Sequence, residues 1–347
     1  MADLRLVITN PLPAEEVALL ARLEPRLEVV YPAELLGPID ILVGRNDPEF
    51  RRTPAQQAAY EQLVDSADAL FGVPEQSGRA LARTVAANPR LRWVHTIPAG
   101  GGQQVRSAGL ARADLDRIVF TTSAGVHAEA LAEFAVFGVL AGAQHLGRLR
   151  ADQSRHVWGE HRVVGAVRAS TVLVVGLGSI GRATAAKLDA LGARVVGIHR
   201  RPVDVPGVAE VRPVTELAAA AADADAIVMA LPGTDQTERM LGAEVFASAR
   251  PGITVVNVGR GSTIDEPALI EALRSGRVGT AVLDVVAVEP LAPESPLWDL
   301  PGVLLSPHTA ALAGDEARGV TELVADNARR LLDGQPLRNV VDTVEFY

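Results

Sequence analysis

The 347-residue sequence contains no cysteine, which excludes disulfide bonds, thiolate catalysis and zinc–thiolate sites. It has no basic run, and a formal net charge of −9 argues against a general polyanion binder, so no nucleic-acid partner is expected. The longest apolar stretch, residues 134–143, falls short of the roughly 20 residues that a bilayer span requires. The first ten residues read as a strand and lack a basic segment followed by an apolar core. Together these absences lead to the expectation of a cytoplasmic protein with no membrane association. There is no internal repeat, and no low-complexity tract beyond the alanine-rich residues 217–224, which read as helix. His156 and His161 are five residues apart, the wrong offset for two ligands on one helical face, so no metal site is expected.

What is present is organised around Thr171-Val-Leu-Val-Val-Gly176-Leu-Gly178-Ser179-Ile180-Gly181, an apolar β-branched run that breaks into spaced glycines and then into a helical pattern. Gly176 permits a tight turn, Gly178 lets backbone approach a pyrophosphate, and Gly181 lets the helix pack close to the strand. The anion would sit on the helix N-terminus, where free N–H groups and the dipole favour negative charge. A second strand over 194–198 follows at the distance that a βαβ unit requires. Such glycines also occur in ordinary turns. The strand before them and the helix after them point to a dinucleotide site.

The length favours two domains, and a composition of 48% hydrophobic and 22% charged residues is that of an ordinary soluble globular protein. The first part reads as α/β, with strands over 4–8, 27–31, 40–44, 69–73, 91–97 and 118–123 and a helix over 14–22. The 91–97 strand runs into Pro98-Ala99-Gly100-Gly101-Gly102, whose amides could hold a small anion or form a plain flexible loop. A long helix is expected over 126–149. Further strands are expected over 225–231, 252–257, 280–284 and 303–306. Helices are expected over 244–250, from an Asp265 cap to Arg274, and over 314–332.

Three residues fall just after strand ends in the second half: Arg260, Glu289 and His308. In an open parallel sheet, ligands bind outside the carboxyl ends of the strands. An arginine offers a planar fork for a carboxylate or carbonyl oxygen, and a histidine beside a carboxylate can deliver a proton near neutrality. Taken singly, Glu289 could be a solvated residue and His308 a satisfied loop histidine.

In order, Asn257-Val-Gly-Arg260-Gly-Ser-Thr-Ile-Asp-Glu266, Leu283-Asp-Val-Val-Ala-Val-Glu289-Pro290, Ser295-Pro-Leu-Trp298 and Ser306-Pro-His308-Thr-Ala-Ala311 strongly resemble the D-isomer-specific 2-hydroxyacid dehydrogenase family. The resemblance covers most of the chain and is most specific over 176–311. It implies a doubly wound, parallel-sheet Rossmann cofactor domain (123–310) inserted into a second, flavodoxin-like α/β substrate domain (1–122 and 311–347). It also implies that Arg260 anchors the substrate carboxylate and polarises the keto group. His308 would be the acid in reduction and the base in oxidation, with Glu289 orienting it. Substrate contacts would add the amides of Ala99, Gly100 and Gly101. Cofactor contacts would come from Gly176, Gly178, Ser179, Ile180 and Gly181, from Leu231, Pro232 and Thr237, and from Val258, Gly259, Arg260, Asp284 and His308. A homodimer is implied, with the 126–149 helix and the arm after it as the contact.

The place where a Rossmann site usually carries an acid for the ribose reads Ile198-His199-Arg200-Arg201. Two guanidinium groups there would attract a 2′-phosphate, so NADP(H) is expected over NAD(H). The alternative is a pair of solvated arginines beside a permissive ribose pocket that takes NAD(H). The expected reaction is reduction of a small 2-keto acid such as glyoxylate or hydroxypyruvate. Two rival readings are a short-form phosphoglycerate dehydrogenase and a dinucleotide-sensing binding protein that acts through partners. The long phosphoglycerate form, with extra C-terminal regulatory sequence, is not expected.

Overall fold

The computed structural model describes residues 3–38, 49–312, 314, 316–344 and 346, and the strand expected over 40–44 lies outside the described residues. Two compact units are formed. One combines Met1–Val126 with Ala313–Tyr347, and the other is His127–Leu312.

In the first unit the apolar runs become β1 (Leu4–Ile8), β2 (Leu27–Val30), β3 (Ala69–Phe71), β4 (Trp93–Thr96) and β5 (Val119–Thr122). They form one parallel sheet in the order β2-β1-β3-β4-β5, the flavodoxin-like order. Its helices are α1 (Ala14–Leu23), α2 (Pro54–Asp65), α3 (Gly78–Ala87), α4 (Gly102–Ser107), α5 (Arg112–Arg117) and the C-terminal helix Glu316–Leu332. Helices α2 to α5 were not expected from the pattern. Helix α2 is rich in glutamine and alanine, so its apolar stripe is faint. Its start is instead written in a capping box, with Thr53 and Gln56 each bonding the other's backbone N–H. The C-terminal helix joins this unit because Val320, Val324 and Ala328, spaced four apart, pack in one cluster with Leu6, Leu20 and Trp93.

At the carboxyl edge of this sheet His95 is fully buried, with Nδ1 2.9 Å from Thr121 Oγ1 and Nε2 3.0 Å from Ser123 Oγ. The Trp93 indole N–H, which can only donate, gives its hydrogen to the same Thr121 oxygen at 2.8 Å. The Thr121 hydroxyl thus serves Trp93 and His95 together, and both imidazole nitrogens have hydroxyl partners. Burial lowers the His95 pKa to about 3, from an ordinary value near 6.5. Between those two values the unfolded chain takes up a proton that the folded chain refuses. Stability conferred at neutral pH is thus expected to fall as pH drops below 6.5. Thermal melts from pH 7 to 4.5 check this: His95→Gln should flatten the slope, and an unchanged slope would exclude His95 as a contributor.

The second unit contains β6 (Thr171–Val175), β7 (Arg194–Ile198), β8 (Glu210–Arg212), β9 (Ala226–Met229), β10 (Ile253–Asn257), β11 (Val278–Leu283) and β12 (Val303–Leu305). All pair in parallel, in the order β12-β11-β10-β9-β6-β7-β8. This is the Rossmann order with a seventh strand, and the order reverses between β6 and β9. Strand β8, with half-buried residues only, was not expected.

The single helix expected over 126–149 is corrected to two, α6 (Ala128–Ala143) and α7 (Leu146–Ser154), bent by 65°. The break falls at His145, whose backbone is left-handed (φ 51°) and whose N–H returns to the Gly142 carbonyl. Histidine is among the few residues that accept this conformation readily. Helix α6 packs with the central strands, burying Leu131, Ala135 and Val139 in one cluster with Val174, Val228 and Val256. Among the described residues no single helix is long and apolar enough to cross a membrane.

Candidate active site

After β6 the chain turns through Gly176 (φ 97°) and enters α8 (Ser179–Ala190), with Gly178 as its N-cap. A Cβ on Gly181 would collide with the Gly176 carbonyl oxygen, so only glycine lets α8 come this close to the strand. Gly178 differs, because a Cβ there would meet no atom within 4 Å. Among the described residues no packing demands glycine at 178. The open space lies at the amino end of α8, beside the backbone N–H groups of Ser179 and Ile180, where a phosphate is favoured. The residues present therefore fit the pyrophosphate of a dinucleotide.

At the end of β7, His199 folds back on its own turn, with Nδ1 2.9 Å from the Arg201 carbonyl oxygen. The side chains of Arg200 and Arg201 lie on the exposed surface beyond the strand. After β9, Leu231 and Pro232 begin a loop braced by Thr237, whose hydroxyl donates to the Pro232 carbonyl at 2.6 Å.

Arg260 follows β10 on a short segment held from three sides. Asn257 Oδ1 accepts the Gly259 N–H at 3.0 Å, while Asn257 Nδ2 and Thr263 Oγ1 donate to the Arg260 carbonyl at 3.0 and 2.7 Å. The flanking glycines admit neighbouring loops. A Cβ at 259 would strike the Leu231 backbone, and one at 261 the Val286 carbonyl. The adjacent Val258 is buried, and its N–H donates to Met229 at 3.0 Å. The Arg260 side chain is exposed, makes one bond to the Gly259 carbonyl at 2.8 Å, and pairs with no carboxylate among the described residues. Most of its fork is available to a ligand. The sequence reading missed Asn257, although a polar residue closing an apolar strand and fully buried is a signal of backbone bracing.

His308 Nδ1 lies 2.8 Å from Glu289 Oε2. The other Glu289 oxygen accepts the Val286 N–H at 3.2 Å, which fixes the carboxylate plane. Glu266, from the first turn of the helix Glu266–Arg274, accepts the Ala287 N–H at 3.1 Å and braces the same loop. The imidazole keeps 45% of its side-chain surface, so Nε2 can meet a substrate. Asp284, at the end of β11, is 2% exposed, and its Oδ1 accepts from Ser306 Oγ at 2.7 Å and from the N–H groups of Thr309 and Ala310 at 2.9 Å each.

In the first unit, Ala99 and Gly100 are exposed after β4, and no described residue accepts from their N–H groups. The Gly101 N–H donates to the Pro98 carbonyl at 3.0 Å and closes the turn. Its lack of a side chain is required by Thr96, whose hydroxyl occupies the place of a Cβ.

Thus Gly176, His199, Leu231, Arg260, Asp284 and His308 all follow the carboxyl ends of parallel strands in one sheet. Residues 136–310 match the family described as D-isomer specific 2-hydroxyacid dehydrogenase, NAD binding domain. A D-3-phosphoglycerate dehydrogenase of Mycobacterium leprae is 33% identical over 267 residues, 75% of this chain, and the chain spans about half (49%) of that relative's length. Two solved structures align over nearly the full length of both chains. A D-isomer specific 2-hydroxyacid dehydrogenase of Xanthobacter autotrophicus Py2 in complex with NADPH and MES has a TM-score of 0.77 at 28% identity, covering 99% of each chain. An NADPH-dependent glyoxylate/hydroxypyruvate reductase of Sinorhizobium meliloti in complex with NADP and sulfate has a TM-score of 0.76 at 26% identity, covering 99% of this chain and 100% of that one. With its Rossmann sheet and its strand-end residues, the chain belongs to the D-isomer-specific 2-hydroxyacid dehydrogenase family.

Proposed function

We propose that this protein is an NADP(H)-preferring reductase of small 2-keto acids, of the glyoxylate and hydroxypyruvate class. The observation that carries the reading is the 2.8 Å His308–Glu289 pair together with the Arg260 fork, which pairs with no carboxylate among the described residues, both following the carboxyl ends of the parallel strands. When bound, the nicotinamide supplies the hydride that reaches the keto carbon. Arg260 binds the substrate carboxylate and draws electron density toward the keto oxygen. His308 donates the Nε2 proton to that oxygen, while Glu289 holds Nδ1–H and stabilises the charged ring before transfer. In the reverse direction His308 takes the hydroxyl proton. In the first unit, the Ala99 and Gly100 amides are the proposed carboxylate donors.

The cofactor preference rests on Arg200 and Arg201, with no acid at the end of β7 to bond ribose hydroxyls. Each charge-assisted hydrogen bond to a 2′-phosphate contributes about 1.5–3 kcal/mol. The kcat/KM for NADPH is therefore expected to exceed that for NADH by about tenfold or more. Parallel oxidation of both against glyoxylate, hydroxypyruvate, pyruvate and phenylpyruvate is the test, and Arg200→Ala/Arg201→Ala should abolish the preference. A clear NADH preference would refute the 2′-phosphate reading. The 33% identity to a phosphoglycerate dehydrogenase favours a second reading, oxidation of a phosphorylated 2-hydroxy acid, which activity with 3-phosphoglycerate and NAD would support.

A homodimer completes the proposal. Phe137 on α6, Leu149 on α7 and Trp158 on the arm beyond are exposed apolar side chains of the second unit, Trp158 at 97%. Light scattering should give about twice the 36.5 kDa chain mass, and a monomer at micromolar concentration would refute the dimer.

A further inference from the structure

We propose that Asp284 is a positioning residue that sets His308, because its carboxylate is the template on which residues 306–310 fold. The inference rests on the reading of His308 as the acid and base.

Three consecutive backbone N–H groups converge on this one residue. That of His308 donates to the Asp284 carbonyl at 2.9 Å, and those of Thr309 and Ala310 donate to Oδ1. Successive amides can point to one side where a left-handed residue sits in a turn, as in an anion-binding nest. His308 has that left-handed backbone, with φ 56°. Histidine tolerates this conformation, and here the bonds of residues 308–310 to the Asp284 carbonyl and carboxylate select it. The carboxylate needs the loop in return, since a buried charge without donors is costly. Ser306 Oγ adds a third bond to Oδ1 and also lies 3.0 Å from Thr309 Oγ1, so both ends of the loop are tied. All these side-chain bonds use one oxygen. Among the described residues none bonds Oδ2, which leaves that oxygen to the cofactor contact that the family resemblance implies.

The two roles separate experimentally. Asparagine at 284 keeps a carbonyl oxygen for the loop amides, and alanine keeps none. At saturating NADPH, Asp284→Ala is expected to lower kcat about 100-fold and Asp284→Asn less than about fivefold, so that a weakened cofactor contact, read separately as Kd by fluorescence quenching, does not account for the difference. Ser306→Ala should lower kcat about fivefold, and Ser306→Thr, which keeps the hydroxyl, should restore it. This second pair decides the matter if Asp284→Ala does not fold. Equal losses in the two Asp284 variants, a loss seen only in cofactor Kd, or a Ser306→Ala enzyme with unchanged kcat would overturn the proposal. His308→Asn is the control. If it retains full activity the functional reading fails first. If it is inactive while the Asp284 and Ser306 series is unaffected, only the positioning role fails.

Discussion

Replacing His308 by asparagine is expected to lower kcat for keto-acid reduction by about 10³-fold, within the 10²–10⁴ that a positioned general acid contributes. Asparagine is the informative choice because residue 308 has a left-handed backbone, a conformation asparagine tolerates and alanine resists. The loop should therefore keep its bonds to Asp284, and the loss should report the missing proton donor rather than a collapsed loop. KM for the cofactor should change far less than kcat, since the anion-binding turn at Gly176–Gly181 and most of the other expected cofactor contacts are untouched. Glu289→Gln should cost less, about 10- to 100-fold, because the amide can still orient the ring at Nδ1 but carries no charge to stabilise its protonated form. Single-turnover measurements of hydride transfer with His308→Asn provide the check. A variant with wild-type turnover would remove His308 from the mechanism. A dinucleotide sensor, by contrast, should keep its cofactor-dependent partner binding when His308 is changed.

Arg260→Ala is expected to lower kcat/KM by about 10³-fold, expressed in both parameters. Loss of the carboxylate anchor raises KM, and loss of the charge beside the keto oxygen lowers kcat. The side chain is exposed and unpaired with any described carboxylate, so its removal leaves no buried partner behind and stability should change by less than about 0.5 kcal/mol. Lysine should restore only part of the activity, because its point charge lacks the planar fork. Guanidinium added to the Arg260→Ala enzyme should recover turnover in a concentration-dependent way. An Arg260→Ala enzyme with unchanged KM for the keto acid would exclude the carboxylate contact.

Much of this protein was legible without coordinates because its signals are local. The β-branched run 171–175, the three glycines after it and the helix they open lie within one βαβ unit, where spacing alone dictates geometry. Arg260, Glu289 and His308 could be singled out because each follows an apolar run that reads as a strand, and strand ends in a parallel sheet share one edge. Helix α2 was not legible, since a faint apolar stripe gains its stability from the sheet beneath it and not from its own pattern, whereas α3 was missed although Leu81, Thr84 and Val85 share one buried face.

The sequence by itself determined the alternation of strands and helices, the dinucleotide turn and the identity of the residues that carry the candidate chemistry, all properties of short stretches. Tertiary structure decided which distant atoms meet. The chain bends at His145 between α6 and α7, and the Gly101 N–H is turned to the Pro98 carbonyl. Asp284 collects the loop amides from residues 25 and 26 positions away, and no periodicity encodes such a contact. The physical reason is one of range. Propensity and hydrophobic period act over a few residues, whereas a buried carboxylate is satisfied by whatever donors the completed sheet brings beside it.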